Sequence, residues 1–220
     1  MGSLLSVISQ LHKKTSRTYI DRMINDKAAC MKVAKLFDKD FWDGDRKYGY
    51  GGYRYDGRQS EIARKFIEIY KLNNASKILD VGCGKGYLLY ELKKILPGCA
   101  VTGFDISAYA IENAKEEIKK NLFLHPAQKR FPFKDKEFDL VISITTLHNL
   151  CIDELKFSLQ EMERAGNNKY VAVESYRSEE ELFNLQCWAL TCQSFFSERE
   201  WVWLFREFGY SGDYEFIFFD

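Results

Sequence analysis

The chain has no surplus of positive charge: 32 Lys and Arg meet 32 Asp and Glu among 220 residues, and the pI is about 6.8. Proteins that gather nucleic acid through their overall field carry a basic excess, so nucleic acid is not an expected partner. No run approaches 18 consecutive apolar residues, which excludes a membrane-spanning helix of ordinary length. The six cysteines, at 30, 83, 99, 151, 187 and 192, include no CxxC pair. With no secretory leader recognisable they read as free thiols, and the expected location is the cytoplasm. The three histidines, His12, His125 and His148, are scattered, and nothing near them resembles a clustered metal-ligand set, so no metal is expected. Repeats, low-complexity tracts and a flipped-base motif such as NPPY are also missing. Aromatics are the abundant class, with 17 Phe, 13 Tyr and 4 Trp. Much of that aromatic content falls outside the segments that read as strands.

The pattern along the chain is one of strands separated by helices. Ile20, Met23, Ile24, Ala28, Met31 and Ala34 recur at helical spacing and predict one helix over about 18–36. A Tyr- and Gly-rich linker follows, and then a helix with Ile62, Phe66 and Ile69 on one face. Strands are expected from Ile78 up to the carboxylate Asp80, at 100–104, 122–124, 138–144, 169–175 and in the final "GDYEFIFFD". Between them lie helices over 86–96, 108–119 with Ser107 as cap, 154–164 with Asp153 as cap, and 179–193. Ser197 with Glu200 makes a capping-box signature ahead of the stripe Trp201, Leu204, Phe205 and Phe208. "FDLVISI" is continuously apolar, as a strand covered on both faces should be. Strand, crossover helix and strand in repetition predict a mostly parallel α/β sheet between two helical layers.

The densest chemical signal is "ILDVGCGKGYLL", Ile78 to Leu89. Gly82, Gly84 and Gly86 occupy a strand-to-helix turn, where a ligand can approach the backbone and meet free helix amides. Ligands of open parallel sheets bind beyond the carboxyl ends of the strands. Two further positions should converge there: Asp105, in reach of vicinal ribose hydroxyls, and Ala127–Gln128 beyond the third strand. Together they describe a nucleoside-bearing ligand. Asp80, two residues before the first glycine, would repel a pyrophosphate but suits a cationic amine, which favours S-adenosylmethionine over NAD.

"ILDVGCGKG", "VTGFDIS" and "FPFKDKEFDLVISITTLHNL" resemble the glycine-rich turn, the acidic second-strand motif and the fourth-strand region of class I S-adenosylmethionine-dependent methyltransferases. The resemblance covers residues 60–175 well and the remainder loosely. It implies a Rossmann-like seven-stranded, mostly parallel sheet flanked by helices, with an antiparallel last strand. It further implies that Asp80 orients water or the amine of the methionine moiety, that Gly82 and Gly84 admit that moiety's backbone with Cys83 and Gly86 also at the cofactor, that Asp105 binds ribose, and that Ile106 packs on adenine. Family members often carry Asp-Ala beyond the third strand; here the stretch is "HPAQKRF", so adenine recognition falls to Gln128 or to backbone groups. Thr145, Thr146 and Leu147 would lie beside the methyl donor.

The expected organisation is an N-terminal helical and aromatic cap over 1–59 and a methyltransferase domain over 60–220 with an aromatic helical insertion at about 178–200. Methyl transfer to a hydroxyl or a protonated amine needs a base, and His148 and Glu174 are the catalytic candidates; a purely structural His148 is the alternative. "YGYGGYRYDGR", Tyr48–Arg58, reads either as a flap over the site or as packing for the N-terminal helix. Tyr50 and Tyr53 supply rings there, and Arg54 and Arg58 supply two-donor forks for an anionic group. Asn149, Trp188 and Phe196 complete the substrate candidates. The expected reaction is methyl transfer to O or N of a small metabolite, anionic where an arginine grips it. A protein or peptide acceptor and a non-catalytic cofactor-binding module are the alternatives. The oligomeric state, monomer or homodimer, is open.

Overall fold

The computed structural model describes residues 2–9, 18–24 and 26–220; His12 lies outside them. Six strands form one sheet: β1 (Lys77–Val81), β2 (Ala100–Asp105), β3 (Leu122–Leu124), β4 (Phe138–Ile144), β5 (Gly166–Glu174) and β6 (Asp213–Ile217). The spatial order is β3-β2-β1-β4-β5-β6 and every pairing is parallel. The seven-stranded sheet with an antiparallel last strand is therefore corrected to six parallel strands. After β5 the described chain crosses over through helices and supplies one strand segment, β6, which runs in the direction of β5. β6 is flanked beyond by the N-terminal segment, where Leu4 makes a parallel bridge to Tyr214.

Alternation along the strands divides the core in two. Ile78, Leu140, Ile142, Tyr170 and Ala172 face one way, against α4 (Gln59–Tyr70) through Phe66 and α5 (Tyr87–Ile95) through Leu89 and Leu92. Leu79, Val81, Val141, Val171 and Val173 face the other, against α8 (Ile152–Ala165) and α10 (Glu198–Glu207), which contribute Leu159, Met162, Trp201 and Phe205. Each such fully buried side chain contributes about 1.5–3 kcal/mol from removal of apolar surface.

The helices differ from the sequence reading where local backbone chemistry intervenes. The expected helix 18–36 is two, α1 (Tyr19–Ile24) and α2 (Lys27–Ala34), with Asp26 left-handed at φ 48 between them. The expected helix 108–119 is α6 (Ala108–Glu112) and α7 (Glu116–Lys119), separated by an extended Lys115. Ser107 does cap α6, accepting from the Ala110 amide at 3.0 Å. Helix α8 is capped at Cys151, not Asp153, and the Glu154 carboxylate accepts from the Cys151 amide at 3.1 Å. Helix α9 (Glu179–Trp188) ends earlier than 193 because Ala189 turns extended. Residues 39–42 form a short helix, α3 (Lys39–Trp42). Among the described residues, no helix is long and apolar enough to cross a membrane.

Candidate cofactor and substrate site

The strand order reverses between β1 and β4, and a cavity of about 420 Å³ opens beyond the carboxyl ends of the strands there. Gly82, Gly84 and Gly86 all adopt positive φ (78°, 54° and 68°), a route that a β-carbon would strain. The amides of Gly82 and Cys83 donate to the Phe104 carbonyl at 2.9 and 3.0 Å, which closes the turn over the end of β2. Asp105 braces the turn: Oδ2 accepts from the Gly84 amide at 2.8 Å and Oδ1 from the Ser107 amide at 2.8 Å. Burial raises the Asp105 pKa against those backbone amides. Each of its oxygens keeps lone pairs for a further donor.

Asp80 differs. It is 5 % exposed, lines the cavity and has no hydrogen-bond partner among the described residues. Burial, with the Asp105 charge adding, pushes its pKa up to about 7. Three more polar atoms of cavity-lining residues are buried without partners: Gln59 Oε1, His125 Nε2 and Asn149 Oδ1. A buried polar atom left unpaired costs free energy unless a ligand or water satisfies it. Thr145, immediately after β4, and Phe37 sit at φ 53 and 50 although neither is glycine, and both line the cavity. Backbone strain of this kind is commonly held at functional sites.

The aromatic N-terminal segment lies against the glycine turn. Trp42 is 6 % exposed, and a β-carbon on Gly84 would lie 2.8 Å from its ring. Its indole N–H donates to Ser107 Oγ at 2.9 Å and to the Phe37 carbonyl at 3.1 Å. Tyr50 stacks on Trp42 at 5.3 Å between ring centroids, Phe41 meets Tyr50 edge-on at 5.2 Å, and Tyr53 stacks on Tyr87 at 5.3 Å. Tyr50 retains 38 % of its surface open and lines the cavity. Burial of its hydroxyl, helped by the charges of Glu174 and Asp105 and opposed by the Thr145 side chain, pushes its pKa up to about 12. Lys85, inside the turn and 4 % exposed, clamps this segment: Nζ donates to Asp43 Oδ2 at 2.6 Å and to the Tyr53 carbonyl at 2.9 Å. Tyr109 adds a hydroxyl to the same Asp43 oxygen at 2.8 Å. Burial works to raise the Asp43 pKa, but the bonds from Lys85 and Tyr109 hold it below the ordinary carboxylate value.

Of the expected cofactor residues, all but Gly86 line this cavity, and Thr145 does so beside Tyr50, Tyr53 and Asn149. Gly86 faces the core: a β-carbon there would strike Ile118 and Leu122, so its role is close packing of α5 on the sheet. His148 and Glu174 are outside the lining. The His148 ring is 3 % exposed, its Nδ1 accepts from the Glu174 amide at 3.3 Å, and Nε2 lies 3.5 Å from Glu174 Oε2. Burial pushes its pKa down to about 3, so it is neutral and turned into the protein. Its carbonyl accepts the amides of Gln193 and Ser194, which makes it a staple between two loops. Arg54 and Arg58 are exposed and off the cavity; Arg58 pairs with Asp56 at 2.5 Å. Trp188 receives Arg22 over its ring at 3.9 Å, and Phe196 meets Trp201 edge-on at 5.3 Å, so each packs away from the cavity. Sequence reasoning missed Trp42, Gln59, His125, Glu154 and the Asp43–Lys85 pair. "FDKDFWDGD" is rich in aromatics and carboxylates, but no local pattern ties residue 43 to residue 85. Among the described residues, no group of three or more His, Cys, Asp or Glu converges as a metal site.

A family model described as a methyltransferase domain matches residues 72–209, more than half of the chain. Ribosomal RNA small subunit methyltransferase C of Buchnera aphidicola is 32 % identical over 111 residues, 50 % of this chain and 31 % of that protein. The mitochondrial arginine-hydroxylase NDUFAF5 of Mus musculus is 28 % identical over 136 residues, 62 % of this chain and 36 % of that one. The chain thus spans about a third of the length of these curated relatives. A candidate methyltransferase from Bacillus halodurans C-125 superposes with a TM-score of 0.55 at 18 % identity, over 67 % of this chain and 68 % of its own, a likeness of fold. The matched stretch contains the glycine turn, Asp105 and the fourth strand, and the chain belongs to the class I S-adenosylmethionine-dependent methyltransferase family.

Proposed function

We propose that this protein binds S-adenosylmethionine in the cavity and transfers its methyl group to O or N of a small acceptor. The observation that carries the reading is Asp80: a buried carboxylate with no hydrogen-bond partner among the described residues, at the glycine turn, beside a second carboxylate fixed to that turn. The members of this family use S-adenosylmethionine as methyl donor, and the residues present fit it. Asp80 and Gln59 Oε1 offer acceptors to an amine, Asp105 has lone pairs left for two ribose hydroxyls, and Ile106, 51 % exposed and lining the cavity, is an apolar plate for a base. His125 Nε2 and Gln128 stand where the family's acidic residue is missing and can meet the edge of the base.

The bound cofactor supplies a methyl group activated by a sulfonium. The chain's own part is to position, to hold charge and to exclude water. In-line placement of acceptor, methyl and sulfur supplies much of the rate of such a displacement. Tyr50, Tyr53 and Trp42 form a wall that keeps water from the reacting atoms, so Tyr50 and Tyr53 are the part of the Tyr- and Gly-rich segment that covers the site. A cavity of about 420 Å³ lies at the low end of ligand pockets, which span about 300–1,000 Å³. A nucleoside joined to an amino acid takes the greater part of it, which supports a small acceptor or a narrow protruding group. The ribosomal RNA methyltransferase relative acts on RNA, but its likeness covers half of this chain, and this chain carries no net positive charge.

Calorimetry with S-adenosylhomocysteine tests the reading. Asp105→Ala removes charge-assisted bonds worth about 1.5–3 kcal/mol each, so affinity should fall about ten- to several-hundredfold. Absence of binding at millimolar ligand, or an unchanged dissociation constant in Asp105→Ala, contradicts it.

A further inference from the structure

The cavity end formed by the loop after β4 and the start of α8 has a polarity of its own. Asn149 donates through Nδ2 to the Thr145 carbonyl at 3.3 Å, which fixes the amide so that Oδ1 is the atom left over. A flipped amide would set two carbonyl oxygens against each other. That Oδ1 is buried and unpartnered. Glu154 lines the same end, and its Oε2 accepts the Cys151 amide at 3.1 Å. No cation pairs with it among the described residues. Gln193 also lines the cavity, and its amide is tied to the His148 carbonyl at 2.9 Å. The stacked Tyr50 and Trp42 also line the cavity, and the faces of aromatic rings attract cations. Lys35 is the only Lys or Arg in the described lining; it is exposed, and its backbone stands two residues from Phe37, whose carbonyl is bonded on the Asp105 side. The remaining titratable groups in the described lining are Asp80, Asp105, Cys83, His125, Tyr50, Tyr53 and Tyr87, none of them a fixed cation.

We infer that the acceptor is a small amine which enters as an ammonium and is held by Asn149 Oδ1 and the Glu154 carboxylate. The inference rests on the methyl-transfer reading above and narrows it from O or N to N. It also replaces the anionic group expected from Arg54 and Arg58, which lie outside the cavity. The ammonium gives one proton to Glu154, and the freed lone pair on nitrogen forms the N–C bond as the methyl carbon's bond to sulfur breaks. The bonding pair leaves on sulfur, the product departs as the N-methylated ammonium, and Glu154 passes its proton to water.

The probes are butylamine, butanol and butyrate, equal in chain length and different only in the head group. They are titrated calorimetrically at pH 8 into full-length protein saturated with S-adenosylhomocysteine. Butylamine should bind about tenfold tighter than butyrate, the effect of one hydrogen bond to an ionised group. Glu154→Gln keeps an acceptor for the Cys151 amide and so retains the helix cap. It should erase that preference while leaving S-adenosylhomocysteine affinity within about twofold. Asn149→Leu should weaken butylamine and spare butyrate, which has no donor for Oδ1. Butyrate bound as tightly as butylamine, no butylamine binding, or a preference that survives Glu154→Gln overturns the inference. If S-adenosylhomocysteine itself does not bind, the methyl-transfer reading falls with it; if it binds and the amine is not preferred, the acceptor assignment alone falls.

Discussion

Asp80 and Asp105 are both buried carboxylates of the cavity wall, yet they do different work because their partners differ. Asp105 is satisfied by two backbone amides at 2.8 Å and holds the turn's shape whether or not a ligand is present. Asp80 has no hydrogen-bond partner among the described residues, and burial together with the Asp105 charge pushes its pKa up to about 7. The sign of the linkage is set by that rise. Between about pH 4 and pH 7 the folded chain retains a proton that the unfolded chain has released, so stability falls as pH rises through this window and is level above it. Asp80→Asn should therefore stabilise the ligand-free protein at pH 8 by on the order of 2–4 kcal/mol, read by urea unfolding. The same ionisation governs binding of a cationic amine. At pH 6 only about a tenth of Asp80 is charged, so S-adenosylhomocysteine affinity should drop about tenfold from pH 8 to pH 6, with Asp80→Asn showing no such slope. An equal slope in the variant would remove Asp80 from amine recognition. Both aspartates were legible in the sequence because each sits at a fixed step from a glycine turn or strand end. His148 was legible only as a titratable residue near strand four. Which way its ring turns is decided by the Glu174 amide from β5, a contact no spacing encodes.

At the scale of elements, the Tyr- and Gly-rich segment is held by an ion pair whose lysine is buried, as well as by its rings. Asp43 follows α3, Lys85 belongs to the turn between β1 and α5, and the two meet at 2.6 Å with the Lys85 side chain 5 % exposed. Removing one partner leaves an uncompensated buried charge. Asp43→Ala should destabilise the protein by about 3–5 kcal/mol, and Asp43→Ala with Lys85→Met should recover part of that loss. Chemical unfolding of the three proteins checks this; equal stability of the single and double variants would show that the pair does not hold the segment. Helix positions were readable wherever an apolar stripe and a cap coincided, as at Ser107 and at Ser197 with Glu200. The breaks at Asp26 and Lys115 were not, since each lies inside a continuous apolar periodicity and is made by one residue's backbone.

For the whole molecule, the crossovers leave every neighbouring pair of strands parallel, and β6 is the single strand segment that returns after α10. The family resemblance implied a seventh strand that six apolar runs could not supply. The N-terminal segment joins this end of the sheet: Glu215, 1 % exposed, accepts the amides of Val7 and Ser9 at 2.6 and 2.7 Å, which anchors residues far apart in sequence against β6. At the opposite, carboxyl end of the strands, the cap and the switch point between β1 and β4 enclose one cavity. The central claim is that this cavity holds the methyl donor with its reacting end beneath the aromatic cover. A crystal structure with S-adenosylhomocysteine bound tests it most directly. The account predicts the ligand amine at Asp80, the ribose hydroxyls at Asp105, and the sulfur facing Tyr50 and Thr145. Ligand bound elsewhere, or bound here with residues 42–53 displaced and its sulfur open to solvent, would contradict it.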